Sequence, residues 1–265
     1  MVLKINLSLP GSIANGLVYL GALKYIDENK DKIELKSITG CSFGAIIATA
    51  YSCGFSIEEI VSIIKNLQLN KLSWLNSSNI LKILLGILYS RYYLYYKLKK
   101  IFKELFNWNK TKVPLHISAT CANTRSVIYF NKDSEIALHG AVFASASMPV
   151  IFPCRPIKGQ YFFDGSFSDN YCSEILKLND YNIILLPKVQ NSNIKINIVN
   201  KFINLFQSMF STKNTLSLDR YIDKIELYST SKHFFDFSDE AIFSSIKSGY
   251  YGTKKYFEEK ILKHF

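Results

Sequence analysis

The sequence predicts an α/β protein, with three layers in an α/β/α arrangement around a mostly parallel central sheet. Residues 2–9, 16–30 and 33–41 read in order as strand, helix and strand, and a unit of this kind makes its two strands parallel. Residues 40–44, Gly-Cys-Ser-Phe-Gly, have the pattern of a nucleophile elbow, in which a turn between strand and helix lifts a serine above the sheet. Residues 183–187 are apolar up to a terminal proline, as in a buried strand.

The first strand and helix predict where a ligand would bind. Residues 2–9 alternate apolar and polar side chains and stop at Pro10 and Gly11. Apolar residues then recur at helical spacing from 16 to 30. The loop between these elements and the elbow at residues 40–44 lie at the same carboxyl edge of the predicted sheet, where open α/β sheets bind ligands.

The elbow makes Ser42 the candidate nucleophile. Gly40 and Gly44 flank the turn, where a Cβ would crowd the crossing strand and helix. Ala45 and Ala48 follow and allow close helix packing. A plain turn is the alternative interpretation of this stretch.

Further elements follow in order. Ser56 and Glu59 have the capping-box pattern of a helix start. The remaining predicted elements are strands at 115–121 and 127–130 joined as a hairpin, a small-residue helix at 136–147, a short strand and turn at 161–165, the strand at 183–187, an amphipathic helix at 198–210, a strand at 224–228 and a helix at 239–262.

Residues 71–108 allow two interpretations. The apolar run at 80–89 is about half of the roughly 20 residues that span a bilayer. Basic residues interleaved with aromatics at 91–103 suit a segment that lies on a membrane. We therefore predict an anionic membrane surface as a partner of residues 74–103. The alternative is a core helix followed by an amphipathic surface helix.

Length and composition indicate one large domain. The chain has 265 residues, of which 48% are hydrophobic, and this is enough for a buried core. We expect a single domain over residues 1–265, with the core at about 5–190 and a C-terminal completion at 190–265.

The charge balance favours an anionic partner. The formal net charge is +11, from 32 Lys and Arg against 21 Asp and Glu, which suits nucleic acid or an anionic lipid surface. No zinc-finger spacing, Arg-rich helix or RNA-binding aromatic strand is present in the sequence, so nucleic acid is not expected. A solvated lysine-rich surface is the remaining interpretation.

The cysteines and the N-terminus bear on location. The five cysteines are an odd number without a C-x-x-C pair, and Cys41 and Cys121 lie in apolar runs, which indicates buried, reduced thiols. The first residues lack the apolar core of a signal peptide. We expect a cytoplasmic protein that associates peripherally with a membrane.

An activated serine needs a base and donors for the oxyanion. A Ser-His-Asp triad has four candidate histidines, of which only His233 is placed late enough for the order found in α/β-hydrolases; the others are His116, His139 and His264. A dyad would instead use a carboxylate. Asp164 is the best candidate, since it follows three aromatic residues and precedes Gly165 at a turn, where partial burial would raise its pKa.

These motifs together resemble the patatin-like phospholipases. That family has a glycine-rich loop after its first strand, a G-x-S-x-G elbow after its second and a distant Asp-Gly motif. This chain has residues 11–16 (Gly-Ser-Ile-Ala-Asn-Gly), 40–44 and 164–166 (Asp-Gly-Ser) in that order. Further matches are residues 21–23, 144–153, Asn170, 235–238 and 249–250.

The resemblance implies a phospholipase A-type lipid acyl hydrolase, a metal-independent serine hydrolase without a cofactor. Ser42 would be the nucleophile and Asp164 the base, and the reaction would pass through an acyl-enzyme. The backbone N–H groups of Gly11, Ser12 and Ile13 would form the oxyanion hole, with Gly16, Gly40, Gly44 and Gly165 as supporting motif glycines. Substrates would be phospholipids or other acyl lipids.

The glycine-rich loop departs from the family pattern. Ser12 and Ile13 replace glycines, and Asn15 stands where the family has a basic residue. If the loop needs a positive φ at position 13, a β-branched isoleucine adopts it only with strain. A catalytically silent lipid- or membrane-binding protein is therefore the alternative function, and an α/β-hydrolase esterase using His233 is a weaker one.

Overall fold

The computed structural model describes residues 2–77, 79–176, 181–189, 222–231 and 235–261. Its strands are β1 (Leu3–Leu9), β2 (Ile33–Cys41), β3 (Leu115–Cys121), β4 (Ser126–Phe130), β5 (Arg155–Ile157), β6 (Gln160–Asp164), β7 (Tyr181–Val189) and β8 (Ile222–Ser229). Its α-helices are α1 (Val18–Glu28), α2 (Phe43–Ser52), α3 (Ile57–Leu67), α4 (Ile80–Tyr89), α5 (Tyr95–Leu105), α6 (Leu138–Ser145) and α7 (Asp239–Tyr256).

These strands form one mixed sheet. Hydrogen-bonded neighbours run in the order β5-β6-β3-β2-β1-β7-β8, and β4 also pairs with β3. The pairs among β3, β2, β1, β7 and β8 are parallel, whereas those of β4, β5 and β6 are antiparallel. Helices α1 and α7 pack together, α2 packs on β2, and α6 packs on β3. The predicted α/β/α class is confirmed, as are the β-α-β unit and the β3–β4 hairpin.

Close helix packing explains one pair of glycines. A Cβ on Gly21 of α1 would lie 2.0 Å from the carbonyl oxygen of Ile246 in α7, and one on Gly249 would lie 1.9 Å from that of Val18. The two helices therefore approach backbone to backbone. Helix α3 begins with the predicted capping box, because Ser56 Oγ accepts from the N–H of Glu59 and the Glu59 carboxylate accepts from the N–H of Ser56.

The apolar run at 80–89 is not a core helix. It forms α4, whose Ile80, Leu81, Leu84, Leu85 and Leu88 are exposed. The interpretation of this run as a core helix was wrong, because apolar periodicity does not reveal which elements cover a face. Helix α5 does bury one face, through Leu98, Ile101 and Phe102.

The five cysteines differ in burial. Cys41, Cys121 and Cys172 are buried, Cys53 is half-buried and Cys154 is exposed, and all five are free thiols. No helix in the described ranges is both long and apolar enough to cross a bilayer. The predicted helix at 198–210 lies outside the described residues. The single-domain boundaries stay a prediction.

Candidate active site

The turn after β2 places Ser42 at the start of α2. Ser42 has φ 53° and ψ −121°, a conformation that is uncommon for a residue with a Cβ and is typical of strained functional turns. Its backbone N–H donates to Ser145 Oγ at 2.8 Å, which ties the turn to α6. The predicted elbow is therefore present as a strand–turn–helix.

Glycine is required at the elbow for close approach. A Cβ on Gly44 would lie 2.0 Å from the carbonyl oxygen of Leu9 at the end of β1. The turn can therefore pack against β1 only without a side chain at this position. Similarly close contacts surround the other three motif glycines, which are Gly16, Gly40 and Gly165.

Strand β3 brings the two predicted catalytic residues together. Cys41 at the end of β2 pairs with Ser118 of β3, and the next β3 residue, Ala119, pairs with Asp164 at the end of β6. Strand β4 occupies one edge of β3 along residues 117–121. Strands β2 and β6 therefore both pair with the other edge of β3, where the end of β2 meets the end of β6. This register places the residue after Cys41 beside Asp164.

The serine and the carboxylate are in direct contact. Ser42 Oγ donates to Asp164 Oδ2 at 2.5 Å. Ser42 is 8% exposed and Asp164 is fully buried. Burial raises the pKa of Asp164 above its usual range, while the hydrogen bonds donated by Ser42 and Ser166 oppose that rise. A buried carboxylate with a raised pKa is a stronger base than an exposed one.

Asp164 is held on both sides of its side chain and through its backbone. Its Oδ1 accepts from the Ser166 N–H at 3.0 Å and from the Ser166 hydroxyl at 2.7 Å. Its N–H donates to the carbonyl of Ser147, and its carbonyl accepts from the Thr120 hydroxyl. These contacts fix the carboxylate so that Oδ2 faces Ser42.

The glycine-rich loop lies against the elbow. A Cβ on Gly11 would lie 2.9 Å from Ser42 Cβ, so the loop backbone reaches the serine directly. The N–H of Gly11 donates to Asn170 Oδ1 at 2.9 Å and is therefore engaged. The N–H groups of Ser12 and Ile13 have no acceptor among the described residues.

Ile13 has the positive φ whose strain the sequence anticipates. Its φ is 48°, in the region that a β-branched residue adopts at a cost of roughly 1–3 kcal/mol. The two residues before Ile13 that contact Tyr19 are held from beneath, because the buried Tyr19 hydroxyl donates to the carbonyl of Pro10 at 2.9 Å and accepts from the Ser12 hydroxyl at 3.0 Å.

An apolar cavity of about 60 Å³ opens beside the serine. Only Ser42 and Asp164 among its lining residues are polar. The apolar lining comes from the glycine-rich loop, from helices α2, α5 and α6, from the segment that precedes α4, and from the chain after α6. Its residues are Ile13, Phe43, Ile46, Leu69, Leu72, Leu98, Phe102, Phe143, Ala146, Met148, Ile151, Phe152 and Phe235. A lining of this kind suits apolar rather than polar groups.

The histidines that the structure describes lie away from this site. His116 is in β3 and pairs with Thr39, and His139 is in α6; neither lines the cavity. Burial and nearby cations lower the pKa of His139. His233 and His264 lie outside the described residues. Within the described ranges no group of three or more His, Cys, Asp and Glu could hold a metal ion.

Three supporting residues have no role in the sequence-based prediction. They are Ser145, which accepts the Ser42 N–H, Ser166, which holds Asp164, and Asn170, which engages the loop. Asn170 and the segment containing Ser145 match the family pattern, but a pattern does not say what each side chain contacts.

Comparison with protein-family models identifies a family. The sequence model of patatin-like phospholipases matches residues 7–176. R571, an uncharacterised protein of Acanthamoeba polyphaga mimivirus, is 41% identical over 68 residues, which are 25% of this chain and 23% of that protein. The chain thus matches only a small part of that curated relative.

Two solved structures are similar in fold. VipD from Legionella pneumophila aligns with a TM-score of 0.57 and 16% identity, over 97% of this chain and 67% of VipD. ExoU from the Pseudomonas aeruginosa type III secretion system, solved in complex with SpcU, aligns with a TM-score of 0.50 and 16% identity, over 98% of this chain and 52% of that chain. With the family model covering most of the chain, the conclusion is that this protein belongs to the patatin-like phospholipase family.

Proposed function

We propose that this protein is a phospholipase A-type lipid acyl hydrolase that uses a Ser42–Asp164 dyad. The observation that carries the proposal is the 2.5 Å hydrogen bond from Ser42 Oγ to Asp164 Oδ2 inside a buried site. Family membership supports lipid ester hydrolysis in general. The dyad adds the two groups that a serine esterase needs, a nucleophile and a base.

The proposed chemistry has two halves. Asp164 Oδ2 takes the hydroxyl proton while Ser42 Oγ attacks the ester carbonyl, and the tetrahedral intermediate collapses as Asp164 returns the proton to the departing alcohol. Asp164 then takes a proton from water, which attacks the acyl-enzyme and releases the fatty acid. Ser42 regains its proton from Asp164, so no metal or cofactor enters the scheme.

The loop supplies donors for the oxyanion in this scheme. We assign the oxyanion hole to the backbone N–H groups of the predicted segment Gly11, Ser12 and Ile13. The N–H of Gly11 already donates to Asn170. The N–H groups of Ser12 and Ile13 have no acceptor among the described residues, so these two would serve the oxyanion. The apolar cavity beside Ser42 would take the part of the acyl chain next to the ester.

Labelling by a fluorophosphonate probe tests the dyad. Purified wild type, Ser42→Ala and Asp164→Asn are treated in parallel, with thermal unfolding of each as the control for folding. Labelling of wild type alone supports the dyad. Labelling of Ser42→Ala would exclude Ser42 as nucleophile, and full labelling of Asp164→Asn would exclude Asp164 as the base.

A catalytically silent lipid-binding protein is the second candidate, favoured by the strained Ile13 in the loop. Loop distortion at this residue would misplace its N–H, and losing one oxyanion donor costs about 10²–10³ in rate. A folded wild type that binds vesicles but resists the probe would support this candidate.

The lipid substrate would come from an anionic membrane that residues 74–103 contact. Lysines 97, 99 and 100 lie together on α5 and contribute to the net charge of +11. Reversing these three charges to glutamate should weaken binding to anionic liposomes at low salt. Equal binding of wild type and variant at low and high salt would contradict this attachment.

A further inference from the structure

Helix α4 presents an unusual outward face. Five large aliphatic side chains occupy positions 80, 81, 84, 85 and 88, which share one side of a helix. Each is between 53% and 69% exposed. An apolar patch of this kind on a protein surface marks a site for a partner or a membrane.

The opposite side of α4 packs against the protein core. Gly86 is buried against Trp74, so closely that a Cβ there would lie 2.2 Å from the indole ring. Ile83 and Ile87 pack against the core. The outward face is therefore held in place, and its exposure follows from the packing of the helix.

The surroundings of this face are cationic and rich in tyrosine. Residues 69–105 contain seven basic side chains and one acidic one. None of the seven forms an ion pair with a described residue. Burial and the neighbouring Lys71 charge both lower the pKa of Lys97. Tyr92, Tyr93 and Tyr96 are exposed beside these cations.

The segments on either side of α4 lead to the serine. Leu69 and Leu72 before it, and Leu98 and Phe102 after it, line the cavity beside Ser42. A surface that engages α4 is thus connected through its neighbours to the proposed acyl site.

We propose that α4 inserts its outward aliphatic face into the interfacial layer of an anionic lipid bilayer. This inference rests on the proposed function in taking lipid as the substrate. Aliphatic side chains would enter the acyl boundary, while tyrosines and cations stay at the headgroups. A helix of ten residues is about half the span of a bilayer, so it would lie in the membrane plane.

The charges favour a bilayer over a second copy of the chain. A symmetric dimer through α4 would bring the same cations of both copies together, and this repulsion is unfavourable. Anionic headgroups instead neutralise them, each basic residue near the surface adding to the attraction.

Vesicle binding tests the insertion separately from the proposed hydrolysis. In a Ser42→Ala background, Leu84→Gln/Leu85→Gln is compared with Phe243→Gln, which changes an exposed aromatic residue on α7. Glutamine keeps helix propensity close to that of leucine. With phosphatidylcholine–phosphatidylglycerol vesicles we expect affinity to fall by about tenfold or more for the double variant and to stay unchanged for Phe243→Gln.

A depth measurement separates insertion from surface attraction. Tryptophan introduced by Leu85→Trp should be quenched by brominated acyl chains, and tryptophan introduced by Phe243→Trp should not, after subtraction of the signal of the two native tryptophans. Absence of quenching at position 85, or wild-type binding by the double variant, would overturn the proposal. So would a concentration-dependent dimer that the double variant abolishes.

These readouts are independent of the proposed hydrolysis. If fluorophosphonate labelling fails while quenching at position 85 is present, the hydrolase proposal fails and the insertion holds. If labelling of Ser42 succeeds and quenching at position 85 is absent, the hydrolase proposal holds and the insertion proposal fails.

Discussion

The serine site and helix α4 differ in how completely the rest of the chain packs around them. Strand register, burial and hydrogen bonds together fix the positions of the Ser42 and Asp164 side chains. Helix α4 instead leaves its aliphatic face uncovered. The chain's own packing completes the first region, whereas the second has apolar surface that nothing in the described chain covers. The difference predicts that changes at the site alter chemistry, while changes on α4 alter only association with lipid.

Asp164→Asn should have the largest effect on the chemical step. The amide keeps the shape of the side chain but cannot accept the serine proton, and loss of a general base lowers kcat by about 10²–10⁴-fold. Because the variant removes a fully buried carboxylate, its thermal stability should match or exceed that of wild type. Turnover of a short-chain ester and a melting curve measure both. Wild-type turnover would remove Asp164 from the mechanism.

Asn170→Ala should have the next largest effect. It frees the Gly11 N–H from its tether, and a displaced loop should lower the labelling rate by about tenfold or more, up to the 10²–10³ of a lost oxyanion donor. One partly buried hydrogen bond contributes only about 1 kcal/mol to stability, so folding should survive. Tyr171→Ala, at the exposed neighbouring residue, is the matched control. Equal labelling rates for the two variants would contradict a role in positioning the loop.

Ser166→Ala should shift the pH dependence with little change in the maximal rate. Asp164 must be ionised to act as base, so activity falls as the pH drops through its pKa. The Ser166 hydroxyl lowers that pKa, and its removal should therefore move the acid limb of kcat/KM to higher pH. The plateau at high pH should stay close to wild type. An unmoved acid limb would mean that another group controls the profile.

The sequence was most informative where function depends on local geometry. The elbow around Ser42 follows from glycines that permit close packing, and the structure places Asp164 beside it as the motif order implied. The strain at Ile13 was anticipated for the same reason, since φ preference belongs to a single residue.

Contacts between distant residues could not be predicted where the order of the family motifs did not imply them. Asn170 and Gly11 are 159 positions apart, and Ser145 and Ser42 are 103 apart. The exposure of α4 was equally hidden, because a mostly apolar run such as residues 80–89 has the same pattern on a surface as in a core. Burial depends on which other elements cover a face, and the sequence of that face does not contain this information.

The smallest expected effect is that of α4 on folding. Leu84→Gln/Leu85→Gln changes two side chains that are 54% and 58% exposed, so the free energy of unfolding should change by no more than about 0.5 kcal/mol. The same replacement at Leu20 of α1, which is fully buried, should cost about 2–5 kcal/mol, because it removes apolar packing and buries an amide. Denaturant unfolding of the two variants beside wild type measures the contrast. A loss at α4 as large as that at Leu20 would mean that the aliphatic face is covered in the folded chain, and the membrane would then have no free face to bind.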